Sequence, residues 1–320
     1  MKLQTKIPLS KAEHPIDYQG QVLLLGSCFS ENIGEKLDYF KFRTLRNPFG
    51  ILFHPKAIEN LVRRAIQKDY YLENEVFFHN ERWHCFDAHS DLSDVSRENL
   101  IQRLNRSLQA TREQIQKASH IILTLGTAWT YRHIKIGHIV ANCHKVPQSE
   151  FSKELLSVED ILNSLNYIVD IIGTVNQHAD IVFTVSPVRH LKDGFVENQR
   201  SKAHLISALY RIIEISKILN PKSYFESYEL MMDELRDYRF YADDMVHPNA
   251  LAIDYIWERF TEVWISDTAF PTMEKIDTIQ KGLLHRPFNP ESGQHRQFVG
   301  SLQEKIDFLQ RQHPFMVFGK

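Results

Sequence analysis

Leu23-Leu24-Leu25-Gly26-Ser27-Cys28-Phe29-Ser30-Glu31-Asn32-Ile33-Gly34 is the stretch on which the fold turns. Three apolar residues run directly into Gly-Ser-Cys, and a helical pattern starts immediately afterwards. That order predicts a buried strand, a sharp turn and a helix, with two candidate nucleophiles, Ser27 and Cys28, on the turn. A second cluster far along the chain answers it: Asp243-Asp244-Met245-Val246-His247-Pro248-Asn249. An Asp three residues before a His is the spacing by which a carboxylate orients an imidazole toward a hydroxyl or thiol.

Working outward, further short apolar runs end in turn residues at 42–45, 121–125, 181–185 and 223–225, and with 22–25 they predict five strands. Helical spacing falls between most of them, at 58–66, 100–115, 203–218 and 250–264. Ser157-Val158-Glu159-Asp160 reads as an N-cap with an acidic third residue, opening a helix through Ile172. Alternating strands and helices predict an α/β fold with a parallel sheet covered on both faces. Ligands of such sheets bind beyond the carboxyl ends of the strands, where Gly26, Gly126 and Ser186 would crowd one edge. Two segments break the alternation. Residues 76–90 and 129–143 alternate apolar and polar about His79-Asn80 and Gly137, and predict two inserted β-hairpins. After Asp267 two polar helical patterns, 273–284 and 298–312, predict a C-terminal helical appendage. The expected organisation is an α/β domain over 1–267 followed by an appendage over 268–320.

Lys and Arg number 38 against 40 Asp and Glu, a formal net charge of −2, so no basic excess points to nucleic acid or anionic lipid. Cys28, Cys85 and Cys143 are too sparse for a disulfide framework and suit a reducing compartment. The first residues lack the apolar core of a signal peptide, and no run is long enough to span a membrane. A cytoplasmic protein with no membrane or nucleic-acid partner is expected.

A turn at a helix start presents backbone N–H groups that stabilise an anion on the tip residue or a developing oxyanion. Cys28 gains most, because the thiolate is the attacking species; Ser27 would need a general base. The plainer alternative is a cysteine buried as a small hydrophobe. For Asp244 and His247 the alternative is a helix cap beside an exposed imidazole, with Asp243 as the competing cap.

At these residues the chain resembles the GSCFA-domain family, a branch of the SGNH/GDSL-like hydrolase superfamily. The resemblance covers nearly the whole chain. Its name motif stands as Gly26-Ser27-Cys28-Phe29-Ser30, and further blocks are Asn47-Pro48-Phe49-Gly50, Gly126-Thr127-Ala128-Trp129, Asn142–Pro147, Ser186–His190 and Asp243–Asn249. It implies a three-layer, flavodoxin-like (SGNH-hydrolase-like) sheet with the site at its carboxyl edge. In the superfamily a Gly-Asp-Ser turn carries the nucleophile third, which places Cys28 at the serine and Ser27 at the aspartate. Asp244 and His247 match the later Asp-x-x-His. The Gly-x-Asn-Asp block departs, reading Gly126-Thr127-Ala128-Trp129, so the oxyanion Asn is missing and Asn47 or the Gly50 amide becomes the candidate donor.

Other polar clusters extend the candidate site. His89 closes the first hairpin and His144 the second, and both would touch substrate if the hairpins fold over the site. Trp129 and Trp83 offer a stacking wall for a sugar, or are core aromatics. Arg189-His190 follows a strand and is a clamp for a carboxylate or phosphate, or a surface ion pair. Cys85, His89, Cys143 and His144 lack zinc-ligand spacing, so neither metal nor cofactor is expected. The expected activity is hydrolysis of an ester, in particular an acyl group on a carbohydrate, by Cys28, or Ser27 as fallback, with His247 and Asp244. An acyltransferase of the same fold, and a binding module that kept the fold and lost catalysis, are the alternatives.

Overall fold

A computed structural model describes residues 4–215 and 220–319. In chain order the elements are β1 (Gln21–Gly26), α1 (Cys28–Tyr39), β2 (Arg43–Arg46), α2 (Pro55–Gln67), β3 (Phe77–His79), β4 (Arg82–His84), α3 (Arg97–Lys117), β5 (His120–Leu125), β6 (Trp129–His133), β7 (Ile139–Val140), β8 (Phe151–Leu155), α4 (Val158–Gly173), β9 (Asp180–Val185), α5 (Phe195–Ile215), β10 (Lys222–Phe225), the single turn α6 (Ser227–Glu229), α7 (Ala250–Trp264), α8 (Phe270–Leu284) and α9 (Gly293–Gln312). All five expected strands form one parallel sheet in the order β10-β9-β5-β1-β2. Taken from the other edge, that is second, first, third, fourth, fifth: the flavodoxin-like order, whose switch point lies between β1 and β5.

The sheet is the middle of three layers because its strands are apolar on both faces. Leu23, Leu25, Ile121, Leu123, Leu125, Phe183 and Val185 face α2, α3, α4 and α5. Val22, Leu24, Ile122, Val182 and Phe225 face α1 and α7. Helices α8 and α9 add Met273, Ile276, Ile279, Leu302, Ile306 and Leu309 to that second layer, so the C-terminal segment shares one core with α1 and α7. Ser157 caps α4 in a reciprocal box with Asp160. α5 starts eight residues before the apolar pattern that announces it, and the end of the expected 203–218 helix lies outside the described residues.

Both hairpins form. The first is β3 with β4, turning through Asn80 and Glu81 in left-handed backbone. The second, β6 with β7, turns at Gly137 and takes β8 as an additional strand on its other side. Among the described residues no helix is long and apolar enough to cross a membrane.

Candidate active site

Gly26 ends β1 with φ +137°, where a Cβ would stand 2.1 Å from the Thr124 carbonyl oxygen on β5. Only glycine lets the two central strands stay so close while the chain turns away from the sheet. Ser27 follows as the N-cap of α1. It is buried, its Oγ accepts from the Phe29 amide at 3.3 Å, and its own amide donates to Thr124 O. Cys28 is the first residue of the helix and only half-buried. Burial pushes its thiol up; the amides of Cys28 and Phe29, the Lys202 ammonium and the Ser27 hydroxyl pull the other way. Cys85 and Cys143 are also raised by burial, with no helix start or buried ammonium beside them.

The Asp244–His247 pair forms. Val246 and His247 donate their amides to Asp244 Oδ1 at 2.8 and 3.0 Å, and His247 Nδ1–H donates to Oδ2 at 2.6 Å. The two amides and the ring hold Asp244 down to about 2, so it is a carboxylate at any working pH. Met245 takes left-handed backbone to close the turn. The cap of α7 is Asn249, whose Oδ1 accepts from Ala252 N, so neither Asp243 nor Asp244 is spent capping the helix. With Nδ1 on the carboxylate, Nε2 is the nitrogen left to take a proton.

Arg189 fastens this turn to the strand edge. Its amide donates to Val246 O and its guanidinium to Met245 O at 3.0 Å, and it lies against the rings of Phe195, Tyr238 and Tyr241. Nη1 of the guanidinium is thus engaged in fastening the loop. Next to it stands His190, whose Nε2 is buried and finds no hydrogen-bond partner among the described residues. Burial first, then the charges of Lys202 and His247, hold His190 down to about 3, so the ring is neutral. A Cβ on Gly126 would stand 3.1 Å from that Nε2 and 2.8 Å from Phe53 Cβ, so Gly126 is where β5 admits both groups.

Lys202 closes the arrangement. It is 1% exposed and its Nζ donates to Gly126 O and Ser186 O, both at 2.7 Å. Burial pulls it down to about 7, and Cys28 pulls it back up. Electrostatic neighbours therefore run Cys28, Lys202, His190, His247 across the carboxyl ends of β1, β5 and β9. Lys202 is not among the residues the sequence singles out, and His190 is singled out only with Arg189, as an anion clamp. The signal for Lys202 is a lysine inside the apolar stripe Ser201, Lys202, Leu205, Ala208, Leu209, Ile212 of one helix.

Other candidates are committed elsewhere. The Gly50 amide donates to Asn47 O at 2.7 Å. Asn47 accepts from Gly26 N and donates to Glu31, so this block braces the nucleophile turn instead of offering oxyanion donors. His144 is buried with Nε2 at 2.7 Å from Cys85 O and Nδ1 at 2.9 Å from Ser90 Oγ, a structural histidine held neutral near 4 by burial. His89 packs over Gly50 and pairs with Asp91. Trp129 donates to Glu197 O and lies under Lys153. A cleft of about 670 Å³ between α2 and the two hairpins holds none of Cys28, Asp244 or His247. Among the described residues no three His, Cys, Asp or Glu are grouped to hold a metal.

Fold and site together define a three-layer α/β protein with a cysteine at the turn after its first strand and an Asp–His pair on a late loop of the same edge. The chain belongs to the GSCFA family: the family match spans residues 21–260, and a second, GSCFA domain protein, C-terminal domain, spans 276–320. No curated protein matches the sequence. Among solved structures, a carbohydrate esterase family 3 protein from Talaromyces cellulolyticus is 8% identical with a TM-score of 0.36, over 81% of this chain and 99% of that one. An acetyl esterase mutant with acetate ion is 9% identical with a TM-score of 0.36, over 80% of this chain and 99% of the other.

Proposed function

We propose that this protein hydrolyses an ester through Cys28, His247 and Asp244, with an acyl group on a carbohydrate as the substrate class. The observation that carries the reading is the 2.6 Å Asp244–His247 contact on a loop tied by Arg189 to the edge where Cys28 opens α1. His247 Nε2 takes the thiol proton as Cys28 attacks the ester carbonyl. The tetrahedral oxyanion collapses to a thioester, and His247 returns the proton to the leaving alcohol. Water, deprotonated by the same imidazole, then cleaves the thioester and restores the thiol. Asp244 fixes the tautomer throughout. The amide of Cys28, at the helix start, is the nearest oxyanion donor by position.

Ser27 is the less suited nucleophile, because its hydroxyl is buried as a cap whereas Cys28 is reachable. Turnover of p-nitrophenyl acetate tests the assignment. Cys28→Ala and His247→Ala should each lower kcat/KM by about 10²-fold or more, while Cys28→Ser keeps a measurable rate. A fully active Cys28→Ala would overturn it.

A further inference from the structure

We propose that Lys202 is a positioning residue of this site: it pins the ends of β5 and β9 together and sets a buried positive charge behind Cys28, where negative charge develops on the sulfur and the substrate carbonyl. The inference deepens the ester-hydrolase reading and rests on Cys28 as nucleophile.

Three observations lead to it. First, the side chain leaves the apolar face of α5, is buried to 1% exposure, and ends at the loops that follow β5, the neighbour of β1, and β9, one strand further out. Second, its hydrogen bonds go to two backbone carbonyls, Gly126 O and Ser186 O, and among the described residues no carboxylate pairs with it. An ammonium has three donors, so one remains for the site. Third, the carbonyl it holds on Gly126 follows β5, the strand paired with β1 as far as Gly26, two residues before Cys28; the same glycine abuts His190 Nε2, and the Tyr228 ring lies 5.6 Å from the ammonium. In that setting the Cys28 thiol and the Lys202 ammonium each favour the charged form of the other. A desolvated cation without a fixed counter-charge is costly unless an anion forms beside it. Among the described residues, the neighbour that becomes one in the proposed reaction is Cys28, first as thiolate and then through the oxyanion it creates. A purely structural tie between two carbonyls needs no charge.

The test needs no ester. Cys28 is alkylated with iodoacetate and with iodoacetamide at pH 7, the rates are read by peptide mass spectrometry, and their ratio is divided by the ratio for glutathione. A nearby buried cation should raise the normalised ratio at Cys28 to roughly fivefold or more. In Lys202→Met the ratio should fall to that of the free thiol and the pH midpoint of Cys28 alkylation should rise; Lys202→Arg should retain both. A wild-type ratio at or below the free thiol overturns the proposal, as does a folded Lys202→Met with an unchanged ratio and pH profile. Should Lys202→Met fail to fold, the wild-type ratio decides alone. Loss of the ester reading shows separately: no turnover in the wild type, whatever the ratio.

Discussion

Ser27 and Cys28 are neighbours with equal claim by sequence, yet the fold uses them for different work. Ser27 turns inward, its oxygen accepting an amide of the first helical turn, and Cys28 takes the exposed side of that turn. Replacing Ser27 by Ala should therefore cost about 1 kcal/mol of stability, the usual loss of an N-cap, and change turnover only a few-fold; a dead enzyme of unaltered stability would make Ser27 the nucleophile. At this scale the sequence reading reaches the residues whose types announce chemistry: Cys28 at a strand end, and Asp244 with His247 three apart. It does not reach Lys202, and it takes His190 only as part of an anion clamp with Arg189. Lys202 is set apart by its burial and His190 by a buried Nε2 without a partner among the described residues, neither of which a linear pattern records. It also places Asn47 as an oxyanion donor and His144 at the substrate, where both side chains satisfy backbone groups of other segments, Gly26 N and Cys85 O.

The elements that position the site were the most legible, because a parallel strand buried on both faces is an unbroken apolar run and its end is marked by a turn residue. All five strands of the sheet fall within a residue or so of their patterns, and both hairpins are where polar alternation puts them. β8 escapes the pattern because Phe-Ser-Lys-Glu-Leu carries two charges in five residues: it is paired through its backbone to β6 with two of its side chains in solvent. The early start of α5 was missed because its first turn carries exposed Phe195 and Val196, which blur the amphipathic period. The tightest element-level constraint is the join of β1 to α1. At Gly26 any side chain meets both an unfavourable φ and the Thr124 carbonyl at 2.1 Å, which is backbone and cannot swing aside. Gly26→Ala should thus cost about 3 kcal/mol or more, seen as a lowered urea midpoint together with displacement of Cys28 and loss of activity. A midpoint unchanged from wild type would mean that β1 and β5 can part without penalty.

At the scale of the whole molecule, two apolar layers enclose one sheet, and the price of that enclosure is a set of histidines kept from water. His54, His144 and His190 are held neutral by burial, to about 4, 4 and 3 respectively. They sit at the cap of α2, beneath the hairpins and in the candidate site, so they sample the fold broadly. Each has a folded value below the roughly 6.5 of an unfolded histidine. As pH falls below 6.5 the unfolded chain takes up these protons and the folded chain does not, so stability drops through the window from 6.5 to about 4. Three such groups give a limiting slope of about 4 kcal/mol per pH unit. His84 and His120, lowered by the same cause, act in the same direction. The depressed carboxylates, Asp244 among them, work in a different range: their contribution is lost as pH falls from the ordinary carboxylate value near 4 toward their own lower values. Urea midpoints measured at pH 7, 6 and 5 should therefore fall steeply and in step with histidine protonation, well before carboxylates titrate. His144→Gln, with an amide to replace the contacts to Cys85 O and Ser90, should lower the midpoint at pH 7 yet flatten its pH dependence by about one proton's worth. A midpoint constant from pH 7 to 5 would mean these rings reach water in the folded protein, and would remove the neutral His190 from the description of the site.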